Sequence, residues 1–142
     1  MQEVNSDLKM EQILMKDSRY TREAYLFVRE SLDFTQKLIK QQNRGAGRQH
    51  VSPQELLDGI RQCALKEFGP MAMTVLEEWG VKSCADFGEI VFNMFEVELL
   101  AKAEKDTRED FHHGYDFTDA FQKPFWPQNK MQAEKKSMTE LS

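Results

Sequence analysis

Helix-start and helix-stop residues punctuate the middle of the chain at short intervals, and they constrain its fold more than any other feature. Ser52 is followed by Pro53 and Glu55, the pattern of a capping box with proline at the first helical position. Gly69 and Pro70 end that helix and begin another, since glycine suits a helix C-terminus and proline a helix start. The punctuation predicts a succession of helices over 52–68, 70–79 and 84–98, with a short turn before the last.

The N-terminal third contains the longest amphipathic pattern. Apolar positions recur at spacings of three and four through "YTREAYLFVRESLDFTQKLIKQQ", which predicts one deeply buried helix. A shorter helix is expected around residues 8–17, where a small apolar cluster interrupts polar sequence. The residues that define the buried face of the long helix are Tyr25, Val28, Leu32, Thr35 and Ile39.

Beyond the last of these helices the periodicity changes. In "DFHHGYDF", residues 110–117, apolar and polar side chains alternate, which is typical of a half-buried strand. "LLAKA" can form the other arm of a hairpin, with "EKDTRE" as its loop. The predicted fold class is therefore mainly α with a small β-hairpin (α+β), a winged-helix-like scaffold with extra N-terminal helices. The alternative is an irregular helical bundle.

The domain organisation follows from these elements. Residues 1–126 form one globular domain, in which N-terminal helices occupy 8–47 and the winged-helix-like part occupies 48–117. An aromatic segment, 118–126, closes the domain. The polar remainder, 127–142, is expected to be disordered because it offers little apolar surface to bury.

The charge of the chain indicates which kind of partner a winged-helix-like scaffold would bind. The formal net charge is -5 over 142 residues, which disfavours general attraction to phosphate backbones. Segment 84–98 lacks Lys and Arg, and Asn93 is its one plausible base-reading side chain. It is also apolar nearly all round, so we expect it to pack inside the domain or against protein. Its carboxylates are Asp86, Glu89, Glu96 and Glu98.

A non-catalytic protein-interaction module, binding a protein partner or a second copy, is thus the favoured function. Aromatic residues dominate interface hot spots, and the candidate anchors are Phe92, Phe95, Phe125 and Trp126.

The alternative function is a nucleic-acid-binding regulator that uses a basic loop and the wing. A solvated surface balancing an acidic protein explains the same cations. The candidate residues are Arg44, Arg48, Lys102, Lys105 and Arg108.

No catalytic, cofactor or metal site is predicted. His112 and His113 are adjacent on the expected strand, so they point to opposite faces and cannot easily share one ion. Cys63 and Cys84 form no CxxC and are interpreted as thiols in a reducing cytosol. Polar residues follow Met1, so no secretory signal is recognised, and no apolar run is long enough for a membrane span. A cytoplasmic protein that is not an enzyme is expected.

Four stretches carry a resemblance to a known family. "EAYLFVRESLDFTQ", "HVSPQELLDGIRQCALKEFGPMAMTVLEEWGV", "DFGEIVFNMFEVELL" and "EDFHHGYDFTDAFQKPF" resemble an uncharacterised protein family found mainly in planctomycetes and verrucomicrobia. The resemblance covers roughly residues 8–126. It implies an intracellular bacterial protein of unknown function and carries no known activity. The family pattern has Gly where this chain has Glu98. Glutamate allows the backbone less conformational freedom than glycine does.

Overall fold

A computed structural model describes residues 2–43, 51–101 and 106–127. Throughout these ranges the regular structure is helical, and none of it is strand. Single helical turns follow α3 and α5: Gly69–Met71, Arg108–Phe111, Thr118–Gln122 and Lys123–Phe125. The main helices are α1 (Gln2–Lys16), α2 (Arg22–Asn43), α3 (Pro53–Phe68), α4 (Ala72–Glu78) and α5 (Cys84–Glu96).

The capping box predicted at Ser52 is confirmed, and a glycine ends the following helix. Ser52 Oγ accepts a hydrogen bond from the Glu55 amide at 3.1 Å, and the Glu55 carboxylate accepts one from the Ser52 amide at 3.1 Å. Gly80 has φ of 93°, and a Cβ there would lie 2.0 Å from the carbonyl oxygen of Arg19. Glycine at this position therefore allows both the left-handed turn and the close approach of the α1–α2 corner.

Helices α2 and α3 form an antiparallel pair. Gly59 of α3 lies so close to α2 that an added Cβ would be 1.8 Å from Thr35 Oγ1. Near the other end of the pair, the rings of Phe27 and Phe68 are 5.5 Å apart. The buried face of α2 is as predicted at Tyr25, Val28, Thr35 and Ile39, whereas Leu32 is only half-buried.

Helix α5 is enclosed by the rest of the domain. Phe87, Ile90 and Met94 are fully buried in the core. On another side, Gly88 accommodates Phe111, because an added Cβ would stand 2.8 Å from the Cβ of that ring. The expectation that a helix apolar nearly all round is buried is met inside the domain itself.

The predicted β-hairpin, and with it the α+β winged-helix-like scaffold, is wrong. The Thr107 amide donates to Asp110 Oδ2 at 3.0 Å, and this local cap starts a 3₁₀ turn where the second arm was expected. His112 and His113, expected on opposite faces of a strand, are both exposed, while Phe111 and Phe117 are buried from separate turns. The apolar residues Phe111 and Phe117 therefore alternate with polar residues in the sequence without forming a strand. The alternative prediction, an irregular helical bundle, fits the fold.

One further boundary differs from the prediction, and two predicted segments lie outside the described residues. Helix α1 begins at Gln2 rather than near residue 8. The predicted disordered tail, from residue 128 onward, lies outside the described residues, as does the basic loop at 44–50.

Candidate binding pocket beside helix α5

One side of α5 carries a polar stripe that faces the corner between α1 and α2. Its residues recur at helical spacing: Asp86, Glu89, Asn93 and Glu96. Tyr20 Oη donates to Asp86 Oδ1 at 2.6 Å, and Asn93 Nδ2 donates to Asp17 Oδ2 at 2.9 Å. Asn93 Nδ2 is also 3.1 Å from Tyr25 Oη. The candidate base-reading amide is therefore occupied within the domain.

Ion pairs extend this stripe in both directions. Arg19 lies 2.7 Å from Asp17 and 3.4 Å from Glu89, and its hydrogen bonds hold the pKa of the Asp17 carboxyl well below its usual range. Lys16 is paired with Glu96, and this contact lowers the pKa of Glu96. Glu89 and Glu96 of the stripe are therefore paired with cations from the end of α1 and the α1–α2 corner.

Arg108, a candidate nucleic-acid-binding residue, completes the same network. Its guanidinium lies 3.6 Å from Glu89 and 3.7 Å from Glu96, and its carbon is 5.2 Å from the centre of the Phe92 ring. Contact with a phosphate would compete with these pairs. The other four candidates, Arg44, Arg48, Lys102 and Lys105, lie outside the described residues.

The candidate partner-binding aromatics form two separate pairs. Phe92 and Phe95 are half-buried, with ring centroids 5.1 Å apart in an edge-to-face arrangement. Phe125 is 43% exposed, and the adjacent Trp126 is half-buried with Lys123 Nζ 5.9 Å from its ring centre. The first pair is on α5, whereas the second follows the Thr118–Gln122 turn, which packs on α3 and α4.

A partly open pocket of about 430 Å³ lies against Phe95. Its volume and its mainly apolar lining with a few polar groups are typical of ligand-binding sites in proteins. Polar atoms come from Gln36, Ser52 and Asp106, of which Asp106 is a buried carboxylate. The principal apolar walls are Leu32, Leu56, Val91, Phe95, Leu100 and Phe111. We call this cavity the Phe95 pocket.

The end of α5 shapes one wall of the Phe95 pocket. The Leu99 amide donates to the Met94 carbonyl at 2.9 Å and the Glu98 amide to the Phe95 carbonyl at 3.1 Å, which together make a Schellman cap. Glu98 occupies its left-handed position with φ of 63°. Glycine is favoured at such a position, as the resemblance also implied. The cap turns the chain so that Leu100 lines the pocket.

A second cavity, of about 380 Å³, lies on the outer side of α2 and α3 and includes half-buried Cys63. Burial raises the pKa of the Cys63 thiol, and it raises the pKa of Cys84 to about 11. Both thiols are therefore poor nucleophiles at neutral pH.

Within the described ranges, no group of three or more metal-ligating side chains could hold an ion. Nor is any helix there both long and apolar enough to cross a bilayer.

Comparison with known proteins gives no match: no family model fits the chain, and it is significantly similar to neither a curated protein nor a solved structure. The resemblance to the planctomycete and verrucomicrobial family stays a prediction.

Phe95 was predicted from the sequence as a partner-binding residue, whereas the other walls of the pocket were not. Leu32 is part of the ordinary apolar period of α2, and Gln36 has no distinguishing context. Their relation to Leu100 depends on how α2, α3 and the end of α5 meet, which no local pattern encodes. The one available signal was the departure from glycine at Glu98.

Proposed function

We propose that this chain is a non-catalytic protein-interaction module whose binding site is the Phe95 pocket. The observation that carries the proposal is a partly open, mainly apolar cavity of about 430 Å³ with a half-buried aromatic wall. Phe92 stands edge-to-face with that wall and widens the apolar surface around it. An apolar side chain of a partner would be desolvated in the pocket, as hot-spot residues are in well-packed interfaces.

The test is site-dependent capture of a partner. Gln36 is exposed on α2 and lines the pocket, so Gln36→Trp places a large ring toward the cavity without removing a core residue. Gln62→Trp is the matched control, because Gln62 is an exposed helical glutamine at the other cavity. Immobilised wild type, Gln36→Trp and Gln62→Trp are compared for the proteins that they retain from a lysate of the source cells.

We expect at least one protein to be retained by wild type and by Gln62→Trp but lost with Gln36→Trp. Circular dichroism of both variants checks that the helical fold is kept. If both variants retain the same proteins as wild type, the pocket is not the binding site and the proposal fails.

A nucleic-acid-binding regulator is the second candidate, and one feature of the chain favours it. Lys102 and Lys105 are bonded directly to Ala101 and Asp106, two residues that line the Phe95 pocket. In this function the two lysines would contact phosphates while the pocket accepts an unstacked base.

Fluorescence anisotropy with labelled single-stranded and duplex oligonucleotides at low salt separates the two functions. Binding that weakens with salt and is lost in the Lys102→Ala/Lys105→Ala double variant would replace the protein-interaction proposal. Lys37→Ala/Lys40→Ala is the control of equal charge change, since both lysines are exposed on α2. We retain a cytoplasmic location as part of the main proposal, to be checked by fractionation of the source cells.

A further inference from the structure

The Phe95 pocket contains a charged group in an otherwise uncharged lining. Asp106 lines the cavity and is 7% exposed. Among the described residues that line the pocket, it is the only charged one. A carboxylate that is largely withdrawn from water attracts a cation more strongly than an exposed one does, because the surroundings screen the charge less. Asp106 therefore favours a cationic ligand over a neutral or an anionic one.

The apolar walls of the pocket suit an aliphatic chain. Leu32, Leu56 and Leu100 line it together with Phe95. Lysine and arginine have stems of methylene groups that pack along apolar surface, with the charge at the far end. The volume of about 430 Å³ lies within the range of pockets that enclose small ligands, so a single basic side chain fits.

The charge around the pocket and over the whole chain agrees with this preference. Exposed Glu98 directly precedes Leu99, which lines the pocket. The formal net charge of the chain is -5. Because complementary potentials steer binding and disfavour partners of the same sign, the chain favours a basic segment of a partner over an acidic one.

We infer that the Phe95 pocket receives a lysine or arginine side chain of a partner protein, with its cation on Asp106. The inference rests on the proposed function and specifies the chemistry of the partner. The stem packs on Leu32 and Phe95, and the cationic group donates hydrogen bonds to the Asp106 carboxylate. A carboxylate has about four lone-pair positions, so Asp106 can accept from a ligand as well as from its own chain. Gln36 and Ser52 also line the pocket and supply further acceptor oxygens.

The first test uses wild type and three probes of similar size. Pentylammonium stands for a lysine side chain, 1-pentanol is its neutral counterpart, and pentanoate carries the opposite charge. Each is titrated into the 15N-labelled full chain at pH 7 and fixed ionic strength, and the Kd is read from amide shifts of the residues that line the pocket. Since a hydrogen bond to a charged group is stronger than a neutral one, pentylammonium should bind about tenfold or more tightly than 1-pentanol. Pentanoate should bind most weakly.

The second test removes the charge of Asp106. Asp106→Asn should lower the affinity for pentylammonium to about that for 1-pentanol and leave the affinity for 1-pentanol unchanged. Asp33→Asn is the matched control, because Asp33 is exposed and directly follows Leu32 but does not line the pocket. This control should keep the full preference for the cation. Circular dichroism checks the fold of both variants, and the wild-type titrations decide the question if Asp106→Asn does not fold.

Two results would overturn the inference. One is wild type that binds pentylammonium no better than 1-pentanol or pentanoate; tightest binding of pentanoate would favour the nucleic-acid alternative instead. The other is a preference for pentylammonium that persists in Asp106→Asn. The proposed function is tested separately, because a partner that Asp106→Asn retains and Gln36→Trp loses would support the pocket as the binding site while excluding the cation on Asp106.

Discussion

The two sides of α5 differ in a way that reverses what their composition suggests. The polar side, with Asp86 and Asn93, is closed by the α1–α2 corner through hydrogen bonds and ion pairs. The apolar side, with Val91 and Phe95, borders a partly open cavity. Polarity alone therefore does not identify the surface that meets a partner. A polar stripe can be satisfied within the domain, whereas an apolar wall can be left incompletely covered.

Removal of the Phe111 ring should have the largest effect on the apolar side. Phe111 is 2% exposed and packs on Gly88, so Phe111→Ala should lower the free energy of unfolding by about 3–5 kcal/mol. Urea denaturation followed by circular dichroism measures the loss. Phe125→Ala is the matched control, and it should cost less than about 1 kcal/mol because Phe125 is 43% exposed. Equal losses would mean that the 108–111 turn does not hold this side of α5.

On the polar side, the largest loss of stability should come from replacing the hydrogen-bonded carboxylate of Asp17. Asp17 accepts hydrogen bonds from Arg19 and Asn93, so Asp17→Asn should cost about 1.5–3 kcal/mol at pH 7. The exposed Asp33, which pairs only along its own helix with Lys37, provides the control; Asp33→Asn should cost much less.

Asp17 should also make the stability of the protein depend on pH. Arg19 lowers the folded-state pKa of Asp17 below an unfolded value of about 3.9. The stability that Asp17 contributes is therefore present above about pH 4 and is lost as the pH falls toward the folded-state pKa. Wild type should lose stability in acid more steeply than Asp17→Asn, as measured by urea denaturation between pH 7 and pH 2. Parallel curves would show that the network does not depend on this charge.

The sequence predicted the features that depend on neighbouring residues. The Ser52–Glu55 capping box and the stop at Gly69 are local, and each is present. The burial of Phe87, Ile90 and Met94 also followed from the apolar residues of α5. These features need no knowledge of the remainder of the fold.

The features that the sequence did not predict depend on distant residues. Tyr20 and Asp86 are 66 positions apart, and Lys16 and Glu96 are 80 apart, so the closure of the polar stripe has no local signal. The hairpin was predicted because buried residues of separate turns happen to alternate with polar ones, as at Phe111. The Phe95 pocket was not predicted either, because three helices must meet before it exists.

A smaller change, which raises the free energy of unfolding, is expected at Glu98, just after the end of α5. Glu98 has φ of 63°, so Glu98→Gly should raise the free energy of unfolding by about 1 kcal/mol by relieving left-handed strain. The same exchange at Glu30, exposed within α2, should lower it by about 1 kcal/mol because glycine weakens a helix interior. Urea denaturation of both variants provides the comparison. Destabilisation by Glu98→Gly would show that the Glu98 side chain contributes more than its backbone costs.

The smallest effect should come from the exposed ion pair at the edge of the polar side. Lys16 and Glu96 keep 66% and 43% of their side-chain surface in solvent, so water and salt screen their attraction. Lys16→Ala should therefore cost only about 0.2–1 kcal/mol, and the cost should disappear in high salt. Lys37→Ala, which removes an exposed pair within α2, is the control and should give a similar value. A cost for Lys16→Ala that equals that of Asp17→Asn, and that persists in 1 M salt, would show that ion pairing rather than hydrogen bonding closes the polar side.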